Sequence, residues 1–213
     1  LYGVTYSIMS DRIEAGTYIL AAAMVGEGVT VTNTDPAHNK ALLAYLEASG
    51  VQCDVDHDEG RVFIPKNKSF KPVDVMTEPY PGFPTDLQAQ MMAYLTMCDG
   101  ESKVTETIYE NRFMHVLEMK RMNADLTIEG NTVQINGGKA LKGAPVMATD
   151  LRASASLILA GLAAEGETTL RRVYHLDRGY DRLEEKLNAL GASVARMDEQ
   201  DLPEPAPVEG VAS

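Results

Sequence analysis

Cysteine is scarce in this chain: Cys53 and Cys98 are the only two in 213 residues. Two such residues cannot make a disulfide scaffold and have no metal-ligand spacing, so both are expected to stay reduced, Cys98 buried on a helix and neither acting as a nucleophile. Basic residues are also in deficit, 19 against 31 acidic ones, which leaves a net charge of −12. A surface for nucleic acid needs a concentrated basic footprint and is excluded on that ground. Any anionic ligand must therefore meet a few locally placed arginines. No apolar run approaches the roughly 18–20 residues of a membrane span, and the start LYGVTYSIMS has no signal-peptide organisation. The expectation is a cytoplasmic protein with no membrane partner. A first residue Leu1, in place of Met, suggests a piece of something longer. What is present, 45% apolar and 23% charged residues, suffices for one large domain or two small ones with a sizeable core.

The chain repeats itself. Gly3–Met9 alternates like a short strand; DRIEAGTYILAAAMVGEG reads as an almost wholly apolar helix and VTVTNT as a strand. DPAHNKALLAYLEASG sets Leu42, Leu43 and Leu46 against Asn39, Lys40 and Glu47, an amphipathic helix, and VQCDVD, RVFIPK and VDVMTEP read as strands. The order then recurs from Asp86 with helix LQAQMMAYLTM, strand KVTETIY, a helix around FMHVLEMKRM, and strands ADLTIEG, TVQING and PVMAT. It begins a third time with DLRASASLILAGLAA, TTLRRVYH, YDRLEEKLNALG and ASVARM. Gly50, Asn123 and Gly191 fall at matching positions just past the three outer helices, each a residue type tolerant of the left-handed conformation. A repeat this long implies three copies of one α/β unit, with the apolar helices together inside, sheets around them and amphipathic helices outside. The third copy runs into DEQDLPEPAPVEGVAS, which has no strand pattern, so its closing strands must come from elsewhere.

Chemistry concentrates at the helix starts. In PYPGFPTDLQAQMM, prolines 79, 81 and 84 with Gly82 hold the chain out of helix until Thr85, an expected N-cap, and Asp86, which lies in the first turn where the dipole favours a carboxylate. Asp11-Arg12 and Asp150-Leu151-Arg152 open the other two apolar helices. Under approximate three-fold symmetry these starts share one end of the domain, a candidate anion site that Arg112 in YENRFMH and Arg178 in YHLDRGY can join. Arginine suits it because the guanidinium fork binds carboxylate and phosphate in two-point fashion. His38, His57, His115 and His175 are read as packing or surface residues.

The phrases DRIEAGT, FPTDLQAQ, TETIYENRFMH, ATDLRASASL and YHLDRGYDRLEEKLNALGA closely resemble the UDP-N-acetylglucosamine enolpyruvyl transferase family of peptidoglycan synthesis, over about Gly3 to Met197. The resemblance implies an enolpyruvyl transferase inside-out α/β barrel: residues 1–197 as the second of two similar domains, incomplete without an N-terminal segment; by composition residues 198–213 are expected to be an acidic, disordered tail. It implies transfer of an enolpyruvyl group from phosphoenolpyruvate to UDP-N-acetylglucosamine with release of phosphate, and no metal or organic cofactor. By the same resemblance Asp86 is the base beside the sugar hydroxyl, Ile108 lines the UDP-sugar site, and Arg112 and Arg152 hold the carboxylate and phosphate of phosphoenolpyruvate. Arg178 clamps that substrate on closure, and Asp150 orients Arg152 through a salt bridge, as Asp11 does in its own repeat. The family's proton donor lies on its first domain, and neither Cys53 nor Cys98 substitutes for it. Related readings are an enolpyruvylshikimate phosphate synthase, distinguished by its acceptor, and a catalytically silent binding domain.

Overall fold

The structure, a computed structural model, describes residues 2–67 and 69–198. The first unit runs α1 (Arg12–Val25), β1 (Val29–Val31), a 3-10 turn (Pro36–Asn39), α2 (Lys40–Ala48), β2 (Asp54–Asp56) and β3 (Arg61–Ile64). The second runs β4 (Val75–Met76), a 3-10 turn (Thr85–Leu87), α3 (Gln88–Leu95), β5 (Glu101–Thr105), α4 (Met114–Arg121), β6 (Asp125–Glu129) and β7 (Thr132–Asn136). The third has β8 (Pro145–Met147), α5 (Leu151–Ala163), β9 (Thr169–Arg171), a 3-10 turn (Val173–Arg178) and α6 (Leu183–Ala189).

The apolar helices α1, α3 and α5 pack against one another at the centre. They have no polar face to offer water, so burial on all sides is the stable arrangement, and every residue of α3 is buried. Each fully enclosed side chain, such as Met91, Met92 or Leu95, contributes about 1.5–3 kcal/mol of hydrophobic stabilisation. Close approach of α1 to the 3-10 turn ahead of α3 is eased by Gly16, where a Cβ would lie 2.6 Å from the Leu87 side chain. The amphipathic helices lie outside as expected, α2 burying Leu42 and Leu46, α4 burying His115, Val116 and Met119, α6 burying Leu183 and Leu187. In the third unit Leu176, Tyr180, Leu183 and Leu187 form a small cluster with Ala155, separate from the main core.

Strands flank the helices in three ladders ordered β1-β3-β2, β4-β5-β7-β6 and β8-β9, which do not join into a closed barrel. The pairs β4–β5 and β8–β9 are parallel, each bridged by an apolar helix, and the remaining pairs are antiparallel. In the middle ladder Ser102 faces Ile135 and Val104 faces Val133, all buried. Gly50, Asn123 and Gly191 take φ of 95°, 71° and 95°, so the three outer helices end in the same left-handed way.

Several expected strands are shorter or missing. Gly3–Met9 forms no strand: Tyr2, Val4, Tyr6 and Ile8 stand exposed. Its alternation sorts side chains to two faces, but a strand also needs a ladder neighbour for its backbone groups, and no described strand pairs with this segment. ASVARM is not a strand either. Its counterpart β6 pairs only with β7, and the third unit has no β7 equivalent among the described residues. The segment is held by side chains: Asn188 bonds both the N–H and the carbonyl of Val194, and Arg196 grips Asp177 and Glu184. KVTETIY pairs only to Thr105 and TTLRRVYH only to Arg171, the latter turning into 3-10 helix. The acidic stretch from 199 onward lies outside the described residues. No helix among the described residues is long and apolar enough to cross a membrane.

Candidate active site

The path through PYPGFP delivers the chain to the head of α3. Gly82 closes a tight turn, its N–H donating to the Pro79 carbonyl at 2.8 Å, and a Cβ there would lie 2.4 Å from that of Glu78. Buried Phe83 anchors the turn. Helical backbone then starts at Thr85 with Pro84 ahead of it and no side-chain cap. Thr85 is therefore not the expected N-cap: its hydroxyl donates to Oε2 of Glu106 at 2.7 Å and accepts from Nη1 of Arg112 at 2.8 Å.

Asp86 lies in the first turn as expected, but guanidinium groups, not helix N–H groups, hold its carboxylate. Arg112 Nη2 donates to Oδ1 at 2.9 Å and Arg152 Nη2 to Oδ2 at 3.0 Å. Arg112 comes from the loop after β5 and Arg152 from the first turn of α5, so one carboxylate ties two units together. The Asp86 side chain keeps 37% of its surface open to solvent. Partial burial pushes its pKa up. That is outweighed by the Arg152 charge and by the hydrogen bonds and charge of the two arginines, so the net shift is downward and the group is ionised at neutral pH.

The supporting acids act differently from expectation. Asp150 does not pair with the Arg152 guanidinium; it caps α5, its Oδ1 accepting the N–H groups of Arg152 and Ala153 at 2.8 and 2.9 Å. Asp11 caps α1 in the same way, taking the N–H groups of Ile13 and Glu14. With both aspartates capping, the guanidinium of Arg152 is left to reach Asp86. An Asp cap of this kind contributes about 1 kcal/mol to its helix.

Of the four arginines proposed for one anion site, only Arg112 and Arg152 meet. Arg12 lies over the Tyr80 ring at 5.4 Å, on the approach loop. Arg178 is exposed at the end of the third unit's 3-10 turn and forms no ion pair or hydrogen bond with a described residue. Ile108 is 39% exposed on the loop after β5, not in a strand core, and its N–H donates to Glu106 Oε1 at 2.8 Å. Burial pushes the thiols of Cys53 and Cys98 up to about 11, so neither is a thiolate at neutral pH. His115 is buried with Nε2 3.2 Å from the Met92 sulfur, and desolvation pushes its pKa down to about 4.

The sequence reading passed over Glu106. It is 3% exposed, and its carboxylate accepts from Thr77, Thr85, Ile108 and Tyr109. The signal was available in strand alternation: Ser102, Val104 and Glu106 share the inward face of β5 and its extension, and an acid at an inward position requires a reason.

A partly exposed carboxylate between two guanidinium forks can take a proton, and the forks can hold a small dianion. Known proteins are similar to this chain in sequence and in fold. UDP-N-acetylglucosamine 1-carboxyvinyltransferase of Magnetococcus marinus is 54% identical over 197 residues, covering 92% of this chain and 47% of that protein. The enzyme of the same name from Desulfosudis oleivorans is 54% identical over 195 residues, covering 91% and 46%. The chain thus spans about half the length of the curated relatives it matches. Among solved structures, the enolpyruvyl transferase NikO from Streptomyces tendae superposes with a TM-score of 0.77 at 31% identity, over 87% of this chain and 44% of that one. An EPSP synthase from Acinetobacter baumannii, 20% identical, shares the fold with a TM-score of 0.68 over 90% of this chain and 44% of that one. A family model matches residues 1–187, from the chain start into α6; by that span across all three units the chain belongs to the EPSP synthase (3-phosphoshikimate 1-carboxyvinyltransferase) family.

Proposed function

We propose that residues 1–197 form one of two domains of an enzyme that transfers the enolpyruvyl group of phosphoenolpyruvate to UDP-N-acetylglucosamine, a cytoplasmic step of peptidoglycan synthesis. The observation that carries the reading is the Asp86 carboxylate bridged by Arg112 and Arg152 at 2.9 and 3.0 Å. The identity of 54% to enzymes named for the UDP-sugar, against 20% to an EPSP synthase, supports the sugar nucleotide over a shikimate acceptor.

In this reading Asp86 accepts the proton of the sugar hydroxyl as its oxygen attacks C2 of phosphoenolpyruvate, while C3 takes a proton from an acid on the other domain. The tetrahedral adduct then loses a proton from C3 and expels phosphate, restoring the double bond in the product. Arg112 and Arg152 hold the carboxylate and phosphate of the three-carbon substrate. In the structure both forks are engaged by Asp86, which makes it a weak base. An incoming dianion competes for the same forks, and each fork it draws away raises the basicity of Asp86 just when the hydroxyl needs it. Ile108, exposed on the loop after β5, lines the UDP-sugar side in this reading, and Arg178, which has no partner among the described residues, turns in to clamp the substrate. No step in this scheme calls for a metal or organic cofactor. The remaining phosphate ligands come from the first domain, which is the chain's partner.

The test is made in the complete two-domain enzyme. Asp86→Asn keeps shape and loses the proton acceptor, so kcat should fall roughly 10²–10⁴-fold with less change in substrate affinity. Arg152→Lys keeps charge and loses the fork, costing on the order of 3 kcal/mol in the transition state, and Arg182→Lys next to the outer helix α6 serves as control. If Asp86→Asn leaves turnover intact, or the two lysine variants behave alike, the reading is wrong.

A further inference from the structure

We infer that Glu106 is a positioning residue of the site, fixing Arg112 against Asp86 through the hydroxyl of Thr85. The inference rests on the proposed roles of Asp86 and Arg112.

Glu106 is a buried carboxylate with no ion pair among the described residues, an arrangement that costs free energy unless hydrogen bonds satisfy it. Four donors do so. Thr77 Oγ1 at 2.7 Å and the N–H groups of Ile108 and Tyr109 at 2.8 and 3.1 Å converge on Oε1, and Thr85 Oγ1 at 2.7 Å on Oε2. A carboxylate only accepts, so the Thr85 hydroxyl must direct its one proton to Glu106. It is thereby left as a pure acceptor for Arg112 Nη1 at 2.8 Å. With that arm fixed, the other arm, Nη2, meets Asp86 Oδ1. The same carboxylate ties the N–H groups of Ile108 and Tyr109 at the start of the loop that carries Arg112, and its own backbone exchanges hydrogen bonds with Asn131 in the turn after β6. One buried acid thus sets the direction of a hydrogen-bond chain and the shape of the loop at its end.

Glutamine at this position cannot reproduce the pattern. Its NH₂ would face either three donors at the Oε1 site or, at the Oε2 site, a Thr85 hydroxyl whose proton then has no acceptor, because Arg112 only donates. The experiment tracks the Asp86 carboxyl carbon and the Arg112 side-chain nitrogens by NMR across pH in the 213-residue chain, which needs no substrate. In Glu106→Gln and in the isosteric Thr85→Val, the Asp86 titration midpoint should rise toward the ordinary 3.8 and the Arg112 signals should lose their dispersion. Ser49→Ala removes a buried hydroxyl bonded to the Lys71 carbonyl and the Tyr94 hydroxyl, outside this chain of bonds. It should lower the unfolding temperature without moving Asp86. An unmoved Asp86 in Thr85→Val, or an equal movement in Ser49→Ala, overturns the inference. In the complete enzyme Glu106→Gln should lower kcat roughly 10–10²-fold through misplacement of Arg112, more than it changes the KM for UDP-N-acetylglucosamine. If Asp86→Asn impairs turnover and Glu106→Gln does not, the positioning role fails and the proposed reaction stands. If the NMR shifts appear but Asp86→Asn is harmless, the positioning geometry stands and the proposed reaction fails.

Discussion

The middle and third units begin alike and end differently. In both, an apolar helix bridges two parallel strands, β4 and β5 around α3, β8 and β9 around α5. Beyond that point β5 gains β7 and then β6, whereas β9 has only β8 among the described residues. The consequence appears at the exit of each strand. After β5, Glu106 donates its N–H to the Asn131 carbonyl, Asn131 donates back from its side chain, and the loop leads Arg112 to a fixed place on Asp86. After β9, Arg172 turns through a left-handed φ of 63° and the chain arrives at an exposed Arg178 with no partner among the described residues. An arginine at a strand-to-helix junction is thus positioned by the hairpin that closes the neighbouring ladder. The sequence of its own loop is not enough.

The largest stability contrast should come from that closure. Ile135 on β7 is fully buried in the four-stranded ladder, so Ile135→Ala should cost about 2–5 kcal/mol. Leu170 on β9 is only partly buried, and Leu170→Ala should cost less than half as much. Urea unfolding of both variants reads the difference; equal losses would mean that the third unit is as tightly built as the second.

A second contrast is set by pH. Burial holds the His115 imidazole neutral, with its pKa lowered from 6.5 to about 4. As pH falls below 6.5 the unfolded chain binds a proton there and the folded one does not, so stability declines from about pH 6.5 down to about pH 4 and no further from this group. The total loss is on the order of a few kcal/mol. Asp86 acts in a lower window: its depressed pKa adds stability above the ordinary 3.8 that is lost as pH falls through the folded value. His115→Leu should remove the decline above pH 4 and leave the lower one. A decline that survives in His115→Leu assigns acid sensitivity elsewhere.

How much of this was legible in the sequence depends on the range of the forces involved. The repeat, the buried helices and the three helix ends were readable because hydrophobic period and left-handed backbone are local properties. Asp86 at a helix start was readable for the same reason. Its partners were not: an aspartate just ahead of an apolar helix, as Asp150 is, carries a local capping signal, but Arg152 lies 66 residues from Asp86 and nothing local says that its guanidinium crosses to another unit. Gly3–Met9 and ASVARM carry strand-like alternation, yet a ladder requires a neighbour, and alternation is silent about neighbours. Glu106 sat in plain view on an inward strand position and was passed over because it resembled one more acid in an acidic chain.

The smallest expected effect tests the same comparison at a matched point. Gly50 and Gly191 both end an outer helix with φ of 95°, and a Cβ at either would meet nothing within 4 Å. The Cβ of a valine therefore adds no clash at either site, and the left-handed L-residue carries a backbone penalty of about 1–2 kcal/mol. The two glycines lead into different surroundings. Val51 is fully buried and runs on toward β2, which is locked to β3, so strain at position 50 must be borne by the whole first unit. After Gly191 the chain enters an unpaired segment tied down by Asn188 and Arg196, and α6 packs in the smaller of the two clusters. Strain there can be relieved by local opening of the third unit without unfolding the core. Gly50→Val should therefore lower the global unfolding midpoint by the full penalty. Gly191→Val should lower it by less and should instead speed hydrogen exchange in α6. Asparagine, which tolerates the left-handed region as it does at position 123, should soften both effects. If Gly191→Val shifts the global midpoint as far as Gly50→Val and leaves exchange in α6 unchanged, the third unit unfolds with the rest of the molecule, and an open ladder does not make it the weaker part.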